Sequence, residues 1–388
     1  MSARLAPVLL VLGLVASCAS VPEPTPITPV PPASPPPSLG PPLPPAFMRG
    51  AGHAHARLTL AAVGDVMLGT NYPRARLADD DGASLLAGVT PWLAAADVTF
   101  GNVEGVLSDT AKPVKRCSNP AACYLFRSPA RYAEHLDRAG FDLVSFANNH
   151  ARDFGEEGRS DSMAAVAALG IAHSGRAGDV AQIQRNGLDI AMIAFAVTRG
   201  SWSMLETAAA ARAVAGLDQD HDIVIVSFHG GAEGLAALRI PFAPETYYEE
   251  PRGDVVQFSR AMVDAGADIV LGHGPHVVRA MERYRDRLIA YSLGNFATYW
   301  GISVSGQKGL APVLEVTVNG FGEFQAGRIY SARQVRPLGP EPDPKDRALH
   351  MIRALSIADF GTPGLSFGPD GALSEAPRQR PYRGAAPN

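Results

Sequence analysis

What most constrains this chain is a series of seven apolar runs between Arg57 and Phe296, nearly all of which end in glycine and a polar head. Runs of this length, separated by helical stretches, read as strands buried on at least one face. The first ends at Asp65, the second at Glu104, and the third in the amides Asn148 and Asn149 and the imidazole of His150. Later runs end at His229 with Glu233, at His273 with His276, and just before Asn295. Residues 84–95, 130–139, 160–169 and 253–265 carry amphipathic helical patterning between them. In the last, Val255, Val256, Ser259, Met262 and Val263 share one face. Strands alternating with helices predict an α/β architecture. In open α/β sheets ligands collect outside the carboxyl ends of strands, and glycine there permits tight turns and close backbone approach. One polar strand end means little, whereas five or six predict a site.

The residue types at those ends limit its chemistry. Carboxylates, an amide oxygen and neutral imidazoles form a mixed oxygen and nitrogen ligand set without cysteine, which suits Mn, Fe, Zn or Ni. Asp65 and Glu104 brought together would repel, and one or two divalent ions would relieve that repulsion. Glu233, four residues after His229, is a further ligand or a base beside the ligands. Asn295 in SLGNFA orients a ligand by hydrogen bonding or serves the fold. Arg127 either contacts an anionic substrate or forms a surface salt bridge. Asp254 in Arg252-Gly253-Asp254 reads as a helix N-terminus, near the positive end of the dipole.

The start of the chain points out of the cytoplasm. Arg4 precedes an apolar run, Leu5 to Val15, of signal-peptide length and too short to span a membrane as a helix. Val15-Ala16-Ser17-Cys18 then reads as a lipobox. Cleavage after residue 17 would leave Cys18 as a lipid-modified terminus; the alternative is an ordinary cleaved signal with a chance cysteine. Several acyl chains on one residue anchor stably. Ala19 after the cysteine favours the outer membrane of a cell with two membranes, so the expected place is the cell envelope. Residues 18–56 read as a stalk, whose proline-dense stretch 21–47 is a polyproline II spacer of about 3.1 Å per residue, roughly 80 Å in all. A net charge of −4 with a pI near 6.2 provides no basic surface for nucleic acid, and no such partner is expected. Cys117 and Cys123, closely spaced in an exported protein, read as a loop-closing disulfide. They lack the second pair that a structural metal site would bring.

Taken together, Asp65 in VGDVMLG, Glu104 in GNVEG, FANNHARDFG, HGGAE, and GHGPHV followed by YSLGNF resemble the CapA (PGA_cap, capsule synthesis) family. The motifs run in the family's order from Leu58 to Asn319, and Tyr124 to Pro129 (YLFRSP) is also similar to a family segment. The family belongs to the calcineurin-like metallophosphoesterase superfamily. The resemblance implies a four-layer α/β/β/α sandwich over residues 57–320; by their own pattern residues 321–375 read as a small β/α extension, and the polar residues 376–388 as a disordered tail. The resemblance implies Asp65, Glu104, Asn149, His229, His273 and His276 as metal ligands, Glu104 being the bridging type. His150 would be the catalytic group near the leaving group, kept off the metal so that an imidazole with a pKa near 6.5 can donate a proton. Asn102 and Asn148 lie beside these as ligand-orienting or substrate-touching amides. The sequence departs from the superfamily pattern: Met67 stands where Asp-x-His would place a histidine, and Asn102 with Glu104 replaces two aspartates. The resemblance therefore implies two functions, a metal-dependent phosphoesterase-like hydrolase or a non-catalytic component. Either would act on an anionic envelope polymer or a phosphoester in capsule and poly-γ-glutamate biosynthesis. Beyond the motifs, an antiparallel strand pair is expected around residues 319–322, then a helix closed by Gly361.

Overall fold

The computed structural model describes residues 53, 55–116 and 123–377. The signal peptide at 1–17, Cys18, nearly all of the Pro-rich stretch, Cys117 and residues 378–388 lie outside the described residues. Cys123 is disulfide-bonded.

Two β-sheets occupy the centre. The first has nine strands, in the order Leu365–Phe367, Ala372–Glu375, Phe324–Tyr330, Val313–Asn319, Arg57–Met67, Val98–Val103, Leu143–Ser145 and Ala172–Ser174. Asn295–Thr298 pairs in parallel with the end of Arg57–Met67. The second has seven, in the order Met281–Tyr284, Arg287–Ala290, Ile269–His273, Ile223–His229, Leu188–Ala196 and Ala181–Arg185, with Trp202–Ser203 beside Leu188–Ala196. The central pairings of both sheets are parallel, so their carboxyl ends share one edge.

Side-chain alternation explains the layering, because successive residues of a strand face opposite sides of its sheet. Leu58, Leu60 and Ala62 of the first sheet meet Ile223, Ile225, Ile269 and Leu271 of the second in one core between the sheets. Ala61 and Val63 face the other way and pack with Leu136, Met163 and Val166, from helices Ala133–Arg138 and Gly155–Ala167. Val224, Val226 and Val270 likewise back onto Val214, Val256 and Met262, from helices Thr207–Asp220 and Val255–Asp264. The result is the expected α/β/β/α sandwich. Residues 321–375 add strands to the edge of the first sheet, beginning with Phe324–Tyr330, which pairs antiparallel with Val313–Asn319. Their helix, Arg347–Phe360, stops at Gly361, whose φ of 66° is in the left-handed region.

Two local expectations differ. Residues 84–95 are mostly turns, with α-helix only at Thr90–Leu93, because Gly88 and Pro91 interrupt the pattern. The helix Thr207–Asp220 was not singled out by periodicity: its alanines circle every face, and only Ala210 and Val214 are buried.

The strand that carries Asp65 changes phase at its end. Its ladder with Val98–Val103 shifts register between Ala62 and Asp65, and its ladder with Asn295–Thr298 shifts between Asp65 and Val66. Unbroken alternation would put Asp65 on the helix side with Ala61 and Val63. The bulge instead gives that place to Val66 and turns Asp65 towards the second sheet. Gly64 makes the bulge possible, since a Cβ there would lie 2.0 Å from the Gly294 carbonyl oxygen. Gly64→Ala is therefore expected to cost about 1–3 kcal/mol of stability in urea unfolding.

Candidate metal centre

The registers line up the polar heads. Across the first sheet, Asn295, Asp65, Asn102 and Ser145 are neighbouring Cα partners; across the second, His229 faces His273. Glu104 follows the strand that bears Asn102, and its N–H donates to the Val66 carbonyl at 2.9 Å. His276 reaches the same place from a tight turn and holds a φ of 56°, uncommon for a side chain of its size. Ligand atoms of Asp65, Glu104 and His276 all lie within 4.8 Å of one another.

Hydrogen bonds knit the two sheets around this cluster. The Asn102 amide nitrogen donates to Asp65 Oδ1 at 2.9 Å and lies 3.4 Å from His229 Nδ1, while its oxygen accepts from Asn148 Nδ2 at 3.1 Å. Asn148 also donates to the Val103 carbonyl and accepts from the His150 N–H. Its amide is thus committed to the scaffold. His273 Nε2 donates to the Val63 carbonyl in the bulge at 3.1 Å, which leaves Nδ1 as its acceptor. Asn295 Oδ1 lies 3.0 Å from His276 Nδ1, and its amide nitrogen donates to the carbonyls of His276 and Lys308 at 3.1 Å.

What remains is a set of buried acceptors with no hydrogen-bond partner, both Glu104 oxygens, Asn149 Oδ1, His229 Nε2 and His273 Nδ1, beside Asp65 Oδ2, which faces only His276 Nδ1 at 3.1 Å. A buried polar atom without a partner carries the full cost of its desolvation. Oxygen and imidazole acceptors gathered at the strand ends fit a divalent ion, which accepts both kinds of lone pair, and Asp65, Glu104 and His276 lie close enough together to share one. The protonation pattern agrees. Burial raises the Glu104 carboxyl to about 8 despite the nearby His276. Burial also opposes the charge on His276, but Glu104 and Asp65 overcome it and push that imidazole up to about 10. Asp65 is lowered to about 2, the hydrogen bond and charge of His276 prevailing over its burial. Burial holds His229 and His273 neutral, the form that binds metal. Without a cation, protons on Glu104 and His276 offset the negative charge that an ion would meet.

His150 stands at the rim of this cluster, its Nε2 4.0 Å from Glu104 Oε1. Its Nδ1 is held at 2.8 Å by Asp153 Oδ2, and Lys115 Nζ lies 2.9 Å from the other Asp153 oxygen. The Phe126 N–H donates to Asp153 as well. Burial pushes His150 towards the neutral form in spite of Asp153. Asp153 itself stays ionised because His150 and Lys115 outweigh its burial. Sequence reading passed over Asp153, although it lies three residues after His150 in the same motif. Asp153→Asn is expected to leave bound metal unchanged in elemental analysis, because Asp153 holds His150 and none of the clustered ligand atoms.

Glu233 Oε2 is 3.9 Å from His276 Nε2, and Glu233 Oε1 is 3.2 Å from Arg252 Nη2. Arg252 is buried and also donates from Nε to the Gly231 carbonyl at 2.9 Å, so one guanidinium braces the loop after His229. No sequence pattern marked it. Asp254 does cap the following helix, accepting from the N–H groups of Val256 and Gln257. Arg127 donates to Asn71 Oδ1 at 2.8 Å and to the Ala111 carbonyl at 2.6 Å, and it stacks 5.1 Å from the Phe154 ring, so it staples loops together. Met67 is buried, and its carbonyl accepts from the Tyr299 N–H.

Two sheets packed face to face, with acids, amides and imidazoles gathered at their parallel ends, define an α/β sandwich protein with a candidate divalent-metal centre. The sequence model of the family described as "Bacterial capsule synthesis protein PGA_cap" matches residues 59–299, more than half of the chain, and the chain belongs to that family. It is 27% identical over 319 residues to the "PGA biosynthesis protein CapA" of Bacillus subtilis (strain 168), covering 77% of this chain and 78% of the relative. It is also 27% identical over 262 residues to the "Capsule biosynthesis protein CapA" of Bacillus anthracis, covering 62% and 59%. Among solved structures, a 5'-nucleotidase precursor from Thermus thermophilus superposes with a TM-score of 0.41 at 11% identity, covering 78% of this chain and 59% of that one. A likeness of that size says nothing about the reaction.

Proposed function

We propose that this chain is an envelope protein that hydrolyses a phosphoester with the help of a bound divalent ion, in the handling of an anionic capsule polymer such as poly-γ-glutamate. The observation that carries the reading is the set of unpartnered buried acceptors beside an imidazole that Asp153 orients. Asp65, Glu104, Asn149, His229, His273 and His276 would hold the ion. When bound, it would supply charge neutralisation and Lewis-acid polarisation of the phosphoryl oxygens. The chain's own residues do the rest. Asp153 accepts the proton of His150 Nδ1, which leaves Nε2 to take a proton from solvent and pass it to the departing ester oxygen as water bonds to phosphorus. Glu233, braced by Arg252, adds negative charge on the His276 side. The names of the Bacillus relatives support the polymer context, and lipidation of Cys18 would fix the protein to the membrane. Among the described residues, no helix is long and apolar enough to cross one.

The test is elemental analysis of the purified full chain together with a panel of phosphoesters. Retention of a divalent ion and turnover that its removal abolishes would support the reading; an ion-free, inactive protein would overturn it. Met67, standing where the superfamily pattern has a ligand, favours a second reading in which the ion only holds a polymer-binding surface in shape. That version requires wild-type protein with bound metal, no turnover on any ester, and loss of polymer display when His273 is replaced.

A further inference from the structure

A cationic and aromatic rim lies next to His150 and has no part in the chemistry above. The Phe126 ring packs 4.4 Å from the His150 ring. Gly301 closes on the other part of Phe126, since a Cβ at Gly301 would lie 2.5 Å from the ring. The preceding residue, Trp300, is exposed. The guanidinium carbons of Arg76 and Arg336 lie 4.8 Å and 5.9 Å from the centre of its indole. Arg76 closes a turn with Thr70, and Thr70 Oγ1 accepts from the N–H of Arg127, the neighbour of Phe126. Arg336 is held in place by the carbonyls of Thr298 and Ile302. Three separate segments thus bring two arginines and a tryptophan to one lip of the site.

The charge there is unbalanced. Most arginines of the described residues pair with carboxylates, as Arg131, Arg152, Arg185, Arg260 and Arg347 do. No carboxylate ion pair is formed by Arg76 or Arg336 among the described residues, and residues 299–308 contain no acid. In a chain of net charge −4, two like charges on one exposed ring call for an anion from outside. Held over the indole, the two guanidinium groups keep N–H edges for planar carboxylates or phosphates. The exposed remainder of the indole suits methylene groups between charges, which a polycarboxylate has and a polyphosphate lacks.

We infer that Arg76, Trp300 and Arg336 form a subsite for a linear polymer of repeated carboxylates, held beside the metal centre. This rests on the proposed role in handling an anionic polymer, but not on hydrolysis. The test is binding of poly-glutamate by the full chain, followed by Trp fluorescence and calorimetry at low and physiological salt, with polyphosphate and single-stranded DNA as alternative probes. Poly-glutamate is expected to bind with affinity that falls steeply as salt rises. The double variant R76Q/R336Q should bind it about tenfold or more weakly, and W300A should weaken it too. R76K/R336K, which keeps the charge but loses the planar fork, should bind with an affinity between those of wild type and R76Q/R336Q. Metal content should stay constant in all of them. Equal binding by wild type and R76Q/R336Q, absence of binding at low salt, or a preference for polyphosphate or DNA would each overturn the inference. Loss of affinity in R76K/R336K as large as in R76Q/R336Q would also overturn it. Polymer binding without any phosphoester turnover would refute the hydrolase and leave this subsite standing.

Discussion

His150→Ala is expected to lower phosphoester turnover by about 10²–10⁴-fold while the purified protein keeps its divalent ion. The two effects separate because His150 Nδ1 is taken by Asp153 and its Nε2 lies 4.0 Å from Glu104 without being one of the unpartnered acceptors. His273→Ala should behave differently. His273 Nδ1 is one of those acceptors, and its ring is fixed by the Val63 carbonyl, so its loss should remove metal and turnover together. Elemental analysis and single-turnover kinetics on the two variants decide the point. Metal lost from His150→Ala would make His150 a ligand and remove the proton donor from the mechanism.

Arg279→Ala should be the most damaging substitution away from the centre, costing about 3–5 kcal/mol. Arg279 is fully buried and donates from Nη1 and Nη2 to the two Glu245 oxygens at 2.9 Å and 2.7 Å, and from Nε to the Ala237 carbonyl at 2.6 Å. Removing it leaves the Glu245 carboxylate buried without its counter-charge. Glu245 Oε2 also accepts from the N–H of Ala232, next to Glu233, so the loss should loosen the loop that follows His229. Chemical denaturation reads the stability. The double variant Arg279→Met with Glu245→Gln should recover much of it, because no unpaired charge remains; an equal loss in both variants would mean that packing, and not charge, is what matters there.

Much of the centre was legible in the chain. Asp65, Glu104, His229, His273 and Asn295 all close apolar runs, and each does sit at or just after the carboxyl end of a parallel strand or at the start of the strand beside it. Those ends were visible because a buried strand needs an unbroken apolar run, and the first polar residue after it marks the edge. Asp153 was open to reading, three residues after His150 in one motif, whereas Lys115 and Arg252 were not. These two act through distance in space: Lys115 meets Asp153 from a separate loop, and Arg252 reaches Glu233 from a hairpin at Glu245–Tyr247 and Glu250–Gly253. The helix Thr207–Asp220 escaped for another reason, since alanine on every face leaves no stripe to read.

By itself the sequence determined the α/β class, the strand ends that carry polar heads, and the donor types available to an ion. These follow from local rules, apolar periodicity and the coordination habits of oxygen and nitrogen. Only the tertiary structure decided which heads meet. Asp65 faces its partners because a bulge at Gly64 shifts the strand by one residue, and a one-residue shift exchanges the two faces of a strand. No count of residues along the chain contains that shift. It depends on the close approach of the Gly294 carbonyl, which belongs to a segment far along the sequence, and so appears only once the sheet has assembled.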